Sequence, residues 1–230
     1  FEPLLIGFGC LFSGQFPPVL KFTERIRSEY KEIPIVLGGM HPTIFAKEIL
    51  TNCSSINYIV IGEGEEQIVT LAQAVYRKDL NYLATIEGIA FRKKDQVIVR
   101  PKNNFILNLD ELPFPAYDLI NFEDYHHATS HWHNPKKLSF NLTVPIISSR
   151  SCPMKCSFCS MFLVMGPKLR TRSPQNVVSE LQLLYESYGQ THFSFMDDNI
   201  NLNKKHIVSI CNEIIRRKLN IQFETPNGLS

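Results

Sequence analysis

Arg150-Ser151-Cys152-Pro153-Met154-Lys155-Cys156-Ser157-Phe158-Cys159-Ser160 places three of the chain's six cysteines within eight residues, spaced Cys-x3-Cys-x2-Cys. A run this tight can wrap three thiolates around one small inorganic centre. Four thiolates would close a cubane iron–sulfur cluster, and three leave one iron without a protein ligand. An open position is what separates a reactive metal site from a structural one. Structural zinc takes four ligands, commonly as two pairs, and no second pair follows, since Cys211 stands alone. A ferredoxin run would read Cys-x2-Cys-x2-Cys-x3-Cys-Pro, which this is not. No stretch reads as a signal peptide, so a reducing compartment is expected and disulfides are not. Three structural cysteines that happen to cluster remain the plain alternative.

With aromatic Phe158 just before the last cysteine, Cys152-x3-Cys156-x2-Cys159 resembles the signature of the radical S-adenosylmethionine (SAM) superfamily. The sequence before it resembles the subgroup that carries an N-terminal cobalamin-binding domain. The resemblance covers most of the chain. It implies a [4Fe–4S] cluster on Cys152, Cys156 and Cys159, SAM on the open iron with Phe158 near its adenine, and cobalamin as a further cofactor.

The bulk numbers are compatible with that. The chain has 230 residues, 44% hydrophobic and 20% charged, with 24 basic against 22 acidic side chains. A net charge of +2 gives no electrostatic case for nucleic acid or an anionic membrane. No apolar run reaches the roughly 18 residues of a membrane helix. Phe1 and Ser230 read as cuts through a longer protein.

Residues 3–12 read as a buried strand that runs into a glycine-bearing loop. A helix is expected from Pro18, with Leu20, Phe22, Ile26 and Tyr30 facing inward. Ile33–Leu37 is a second apolar run, stopped by Gly38-Gly39. A short helix follows from Pro42-Thr43 to Leu50, then a strand at Tyr58–Ile61 and a helix from Glu65 to Tyr76. Short apolar strands alternating with helices predict a parallel sheet covered on both faces. Ligands of such sheets sit outside the carboxyl ends of the strands, here the loops Gly7–Ser13, Gly38–Thr43 and Gly62–Glu65. On spacing alone these glycines need only make tight turns. The resemblance adds that Val36–Thr43 and Ile61-Gly62-Glu63-Gly64-Glu65 look like segments of cobalamin-binding radical-SAM proteins. It implies cobalamin contacts from Gly38, Gly39, Gly62, Glu63 and Gly64. The subgroup's Ser-x-Leu is replaced by Gly9-Cys10-Leu11, so that hydroxyl is missing. The Asp-x-His-x-x-Gly motif would precede residue 1, and His41 is not the cobalt ligand by motif.

The fold expected is therefore α/β: a Rossmann-like parallel-sheet domain at 1–80, a connector with a hairpin at 81–140, and the first part of a radical-SAM (β/α) partial barrel at 141–230. In the connector, Gly88–Arg92 and Val97–Val99 flank a polar turn, and Asp110–Asp118 is proline-punctuated and extended. His126, His127, His131 and His133 form a cluster, read as a surface loop because no carboxylate or cysteine gives it a metal geometry.

The third segment repeats strand, loop and helix. Val144–Ser148 carries the cysteine loop at its end. Ser173-Pro174 starts a helix to Tyr188, ended by Gly189. His192–Met196 is a strand that ends in Asp197-Asp198-Asn199. A helix from Lys204 to Leu219 should bury Ile207, Val208, Cys211, Ile214 and Ile215, before a last strand at Ile221–Glu224. In a barrel the loops after the strands share the catalytic face. By resemblance, Asp197, Asp198 and Asn199 take the place of the motif that holds the SAM amino group, with Asp198 first among them. They also suit a helix-capping cluster. Asn227 would reach the SAM ribose or carboxylate, or simply make a turn with Gly228. Arg170 and Arg172 follow the cysteine loop, and one of them is a candidate to pair with the SAM carboxylate, against the plain alternative of ordinary exposed arginines.

The leading expectation is an enzyme that reductively cleaves SAM, cobalamin-dependent, with methyl transfer or a cyclase-like reaction as its outcome. It would take a small-molecule substrate in the cytoplasm, with an electron donor such as flavodoxin or ferredoxin. One alternative is a methylthiotransferase, which would need more N-terminal cysteines than Cys10 and Cys53. Another is a non-catalytic iron–sulfur electron carrier, which would leave Asp197-Asp198-Asn199 without a role.

Overall fold

Three short apolar runs, each too brief for a helix, become β1 (Ile6–Gly9), β2 (Ile35–Gly38) and β3 (Tyr58–Val60), paired in parallel in that order. The intervening helices are α1 (Phe16–Glu29), α2 (Met40–Ile44) and α3 (Ala46–Asn52), followed by α4 (Glu65–Arg77) and α5 (Leu80–Leu83). A computed structural model describes residues 3–94, 96–125 and 143–228. The chain forms two compact units, Phe1–Ile106 with Cys156–Gly166, and Leu107–Lys155 with Pro167–Ser230. The histidines of 126–133 lie outside the described residues.

Alternate residues of the first sheet feed two cores. Val36, Val60, Ile89 and Phe91 pack with Leu71, Ala74 and Leu83. Leu37, Ile59, Ile61 and Ala90 pack with Ala46, Ile49, Leu50 and residues of α1. A parallel strand buried on both faces is expected to be continuously apolar, as these are. Two expectations are corrected. The inner face of α1 is Phe16, Val19, Leu20 and Thr23, while Phe22 and Tyr30 are exposed. Thr23 can sit in the core because its hydroxyl meets Ser55 Oγ at 2.9 Å and the Leu20 carbonyl at 2.8 Å. The helix expected from Pro42 to Leu50 is two helices, broken at Phe45.

The hairpin forms as β4 (Ile89–Lys93) and β5 (Gln96–Arg100), and β4 pairs antiparallel with β3. It is thus the edge of the first sheet. From Leu107 onward the described connector belongs to the second unit, where Tyr117 is buried and donates to Glu180 Oε1 at 2.7 Å. Glu180 is also paired with Arg172, whose guanidinium lies 5.6 Å from the Phe114 ring centre.

The second unit holds β6 (Val144–Ile146), a two-residue ladder of β7 (Ser149–Arg150) with β8 (Arg170–Thr171), α7 (Pro174–Tyr188), β9 (His192–Phe195), α8 (Lys204–Arg216) and β10 (Gln222–Glu224). Between β7 and β8 lies α6 (Met161–Met165), which belongs to the first unit. The sheet order β10-β9-β6, all parallel, is an open arc of β-α-β units. Its core joins Val144, Ile146, Phe193 and Phe195 to Val177, Val178, Leu181 and Leu184 of α7 and Ile210 and Ile214 of α8. Ser173 Oγ accepts from Asn176 N, and Gly189 adopts φ 65°, so both expected ends of α7 are present.

The inner face of α8 is rotated from expectation. His206, Ile210, Glu213 and Ile214 are buried, whereas Val208 is exposed and Ile215 is 71% exposed. The two buried polar residues have partners that admit them. His206 Nε2 lies 3.3 Å from Ser148 Oγ, and Glu213 is held by Arg216 and Arg217. The helix stops at Arg216, short of Leu219, where Lys218 turns left-handed at φ 55°.

Candidate functional site

The cysteine motif is an excursion whose base is the β7–β8 ladder. Ser151 (φ 71°) and Lys155 (φ 46°) both hold left-handed backbone, two of five such non-glycine residues among those described. Conformations that cost energy cluster at functional loops. Within the motif, Cys159 N donates to the Cys156 carbonyl at 3.0 Å. All three thiols are free, Cys156 is exposed and Cys152 and Cys159 are half-buried. Among the described residues no three His, Cys, Asp or Glu side chains form a group that could hold a metal ion. The donor set itself, three uncommitted thiols on one short loop, suits a thiophilic centre. Phe158 is 91% exposed.

The acids after β9 divide by environment. Asp197 is 2% exposed. Its Oδ2 accepts from Ser148 N at 3.1 Å, and its Oδ1 accepts from Ser148 Oγ at 2.8 Å and from Ser149 Oγ. It is a buried clasp between the ends of β6 and β9. Asp198 is half-buried, and burial, then the neighbouring Asp197 charge, raise its carboxyl above the ordinary range. Asn199 Oδ1 is buried with no hydrogen-bond donor. An unpartnered buried acceptor beside a partly desolvated carboxylate is an arrangement that a cation with N–H donors would satisfy. Asn227 Nδ2 donates to the carbonyls of Met196 at 3.2 Å and Asp197 at 3.0 Å, bracing the same turn. Arg172 is engaged with Glu180, Asn176 and the Ile147 carbonyl, and Arg170 is buried in β8.

Ser148, Ser149 and His206 were not singled out from sequence as site residues. The register contains the signal for the serines. Ile146 and Phe195 are paired, so Ser148 and Asp197, each two residues further on, reach the same level. His206 shows no such mark: it shares the buried face of Ile210 and Ile214, but the apolar residues of the helix also run through Val208 and Ile215 and do not single that face out.

In the first unit the three strand-end loops are tied together. Cys10 N donates to the Gly38 carbonyl at 2.8 Å, and Thr43 Oγ1 bridges the Gly39 carbonyl and Gly62 N at 2.8 and 2.9 Å. A Cβ on Gly38 would meet nothing within 4 Å, whereas one on Gly39 would lie 2.6 Å from the Cys10 carbonyl oxygen. A Cβ on Gly64 would come 3.2 Å from Val60 Cγ1. Glu63 is buried and accepts from Ile106 N at 3.0 Å. His41 lies between the rings of Phe16 and Phe45, and its Nδ1 is 2.9 Å from Ser13 Oγ. Gly38 therefore borders open space, and Gly39, Glu63 and Gly64 face protein.

Residues 1–72 match the family model described as the B12 binding domain. The chain is 29% identical over 232 aligned residues to an uncharacterized methyltransferase of Pyrococcus horikoshii, covering all of this chain and 47% of that protein. It is 32% identical over 187 residues to the anaerobic magnesium-protoporphyrin IX monomethyl ester cyclase of Cereibacter sphaeroides, covering 80% of this chain and 28% of that one. The chain thus spans less than half the length of these relatives. A solved structure of TsrM from Kitasatospora setae, described as a radical S-adenosylmethionine methyltransferase with cobalamin and a [4Fe–4S] cluster bound, superposes with a TM-score of 0.71 at 18% identity over 95% of this chain and 41% of that chain. At that identity the likeness establishes the fold.

Proposed function

We propose, from the premise that this chain belongs to the cobalamin-binding subgroup of the radical SAM superfamily, that it is part of a SAM-cleaving, cobalamin-dependent methyltransferase. The observation that carries the reading is a loop of three free thiols spaced Cys-x3-Cys-x2-Cys in the same chain as a B12 binding domain. Cys152, Cys156 and Cys159 would hold the cluster, Asp198 and Asn199 the SAM ammonium, and the Gly38 side of the strand ends the cobalamin. Bound together, these groups supply one-electron reduction of SAM and a carrier for its methyl group. The protein's part is to orient. Asp197, through Ser148 and Ser149, fixes where Asp198 stands, and Asn199 offers a dry acceptor. The substrate is a small molecule, and a flavodoxin or ferredoxin would supply electrons. Free thiols at all six cysteines suit the cytoplasm. No helix among the described residues is long and apolar enough to cross a membrane. Cyclisation is the second reading, favoured by the 32% identity to the magnesium-protoporphyrin cyclase.

The test is electron paramagnetic resonance on the anaerobically reconstituted, dithionite-reduced full-length protein, with and without SAM. A [4Fe–4S] signal that shifts with SAM and is lost in Cys156→Ala supports the proposal. A cluster signal indifferent to SAM favours an electron carrier. Methyl transfer from labelled SAM, against its absence during turnover, separates methyltransferase from cyclase.

A further inference from the structure

The second half of the cysteine loop, Cys156–Gly166, packs within the first unit. Its anchor is α6, which lies against α2 and buries Val164 to 2% exposure. Gly62, at φ +72°, passes directly beneath it: a Cβ there would lie 2.9 Å from the Val164 carbonyl oxygen. Gly166, at φ +77°, ends α6 against Phe105, where a Cβ would come 2.8 Å from the ring. Ile106, the next residue, is held by Glu63, the residue after Gly62. Gly62 therefore touches the loop directly, and Glu63 fixes Ile106, the chain neighbour of the Phe105 ring against which Gly166 ends α6. Gly62 N is bonded in turn to Thr43, which is bonded to Gly39.

We infer that Gly62 is a positioning residue that seats the cluster-bearing loop, and not a contact for cobalamin as its glycine-rich context suggests. The inference rests on the reading that Cys156 and Cys159 are cluster ligands. The two glycine pairs then have separate duties: Gly38 borders ligand space and Gly62 receives Val164. A side chain at Gly62 must both enter left-handed backbone and displace the Val164 carbonyl, so it shifts α6 and the cysteines preceding it.

The experiment compares Gly62→Ala, Val164→Ala and Gly38→Ala in the full-length protein. In the apo protein, amide hydrogen exchange across 161–166 is expected to quicken roughly tenfold in Gly62→Ala and Val164→Ala, with β1–β3 unchanged. After reconstitution the same two variants lose iron content or the SAM-induced shift of the cluster signal, while hydroxocobalamin affinity, read by absorbance, stays within about twofold. Gly38→Ala shows the converse, weaker hydroxocobalamin binding with an intact cluster signal. Val164→Ala leaves the sheet loops untouched, so it decides the matter where Gly62→Ala fails to fold. Exchange and cluster signals like wild type in both seat variants overturn the inference, as does a Gly62→Ala protein that loses cobalamin affinity and keeps its cluster. Wild-type protein that assembles no cluster overturns the parent reading, and the apo exchange result then decides the seat alone.

Discussion

Two adjacent aspartates with opposite surroundings make the sharpest residue-level claim. Asp197 accepts from three donors at the ends of β6 and β9, and Asp198 has no hydrogen bond among the described residues. Asp197→Asn replaces one acceptor oxygen by an NH2 group, which either faces the Ser148 N–H donor to donor or forces both serine hydroxyls to turn round, and each buried group left unpaired costs about 1–3 kcal/mol. It should lower the melting temperature. Asp198→Asn should leave the melting temperature alone and weaken SAM binding by roughly 10- to 100-fold, the worth of one hydrogen bond to a charged group. Titration calorimetry and thermal unfolding on both variants check this, and the reverse pattern would exchange the two roles. The raised carboxyl of Asp198 adds a pH dependence. Only its ionised form attracts an ammonium, so SAM affinity should fall with acidification from a higher pH than an ordinary aspartate would set, and Asp198→Asn should remove that limb. His206 works in the opposite sense on stability. Burial, only partly opposed by Asp197, holds its imidazole below the usual range. Below about pH 6.5 the unfolded chain then binds a proton that the folded chain resists. Stability should drop as pH falls through that region, and His206→Gln, which keeps a neutral partner for Ser148, should flatten the drop.

Among the elements, α7 is the one most completely legible in sequence, and the reason is local. Its Ser173 cap, its Pro174 start and its Gly189 end act over one turn each, and its buried stripe of Val177, Val178, Leu181 and Leu184 follows helical spacing. The face of α8 is not legible in the same way, because its buried positions include His206 and Glu213, whose admission depends on Ser148, Arg216 and Arg217. Periodicity counts apolar residues and cannot see a distant hydroxyl. The strand-end acids are visible in sequence as a cluster, but their division of labour is not, since it depends on which of them the parallel register sets opposite Ser148. The connector is a similar case. Its prolines predict extended chain, while its anchorage comes from Tyr117 reaching Glu180 across 63 residues. Tyr117→Phe removes that hydroxyl and leaves one Glu180 oxygen without its donor. The expected loss is about 1–3 kcal/mol in urea unfolding with an unchanged slope. A loss near zero would mean that Arg172 alone satisfies Glu180.

Over the whole molecule, the alternation of short strands and helices announced an α/β chain, but not which segments pack together. The hairpin at 89–100 reads correctly as a hairpin, yet its membership of the first sheet is fixed by pairing Ile59 with Ala90, a contact between distant residues. The segment 156–166 reads as part of the second domain and is drawn into the first unit by the burial of Val164. Each unit has its own core of buried apolar side chains, and a ligand held by one of them should protect that one. Hydroxocobalamin at about a hundred times its dissociation constant adds about 2.7 kcal/mol to any opening that destroys its site. If the B12 binding match at residues 1–72 reflects a working site, amides of β1, β2 and β3 that exchange by opening of the whole unit should slow roughly a hundredfold. Amides of β9, α7 and α8 should keep their rates. Equal slowing in both units would mean that they unfold as a single cooperative body, and no slowing anywhere would remove cobalamin from the proposed cofactors while leaving the cysteine loop to be judged by its own spectrum.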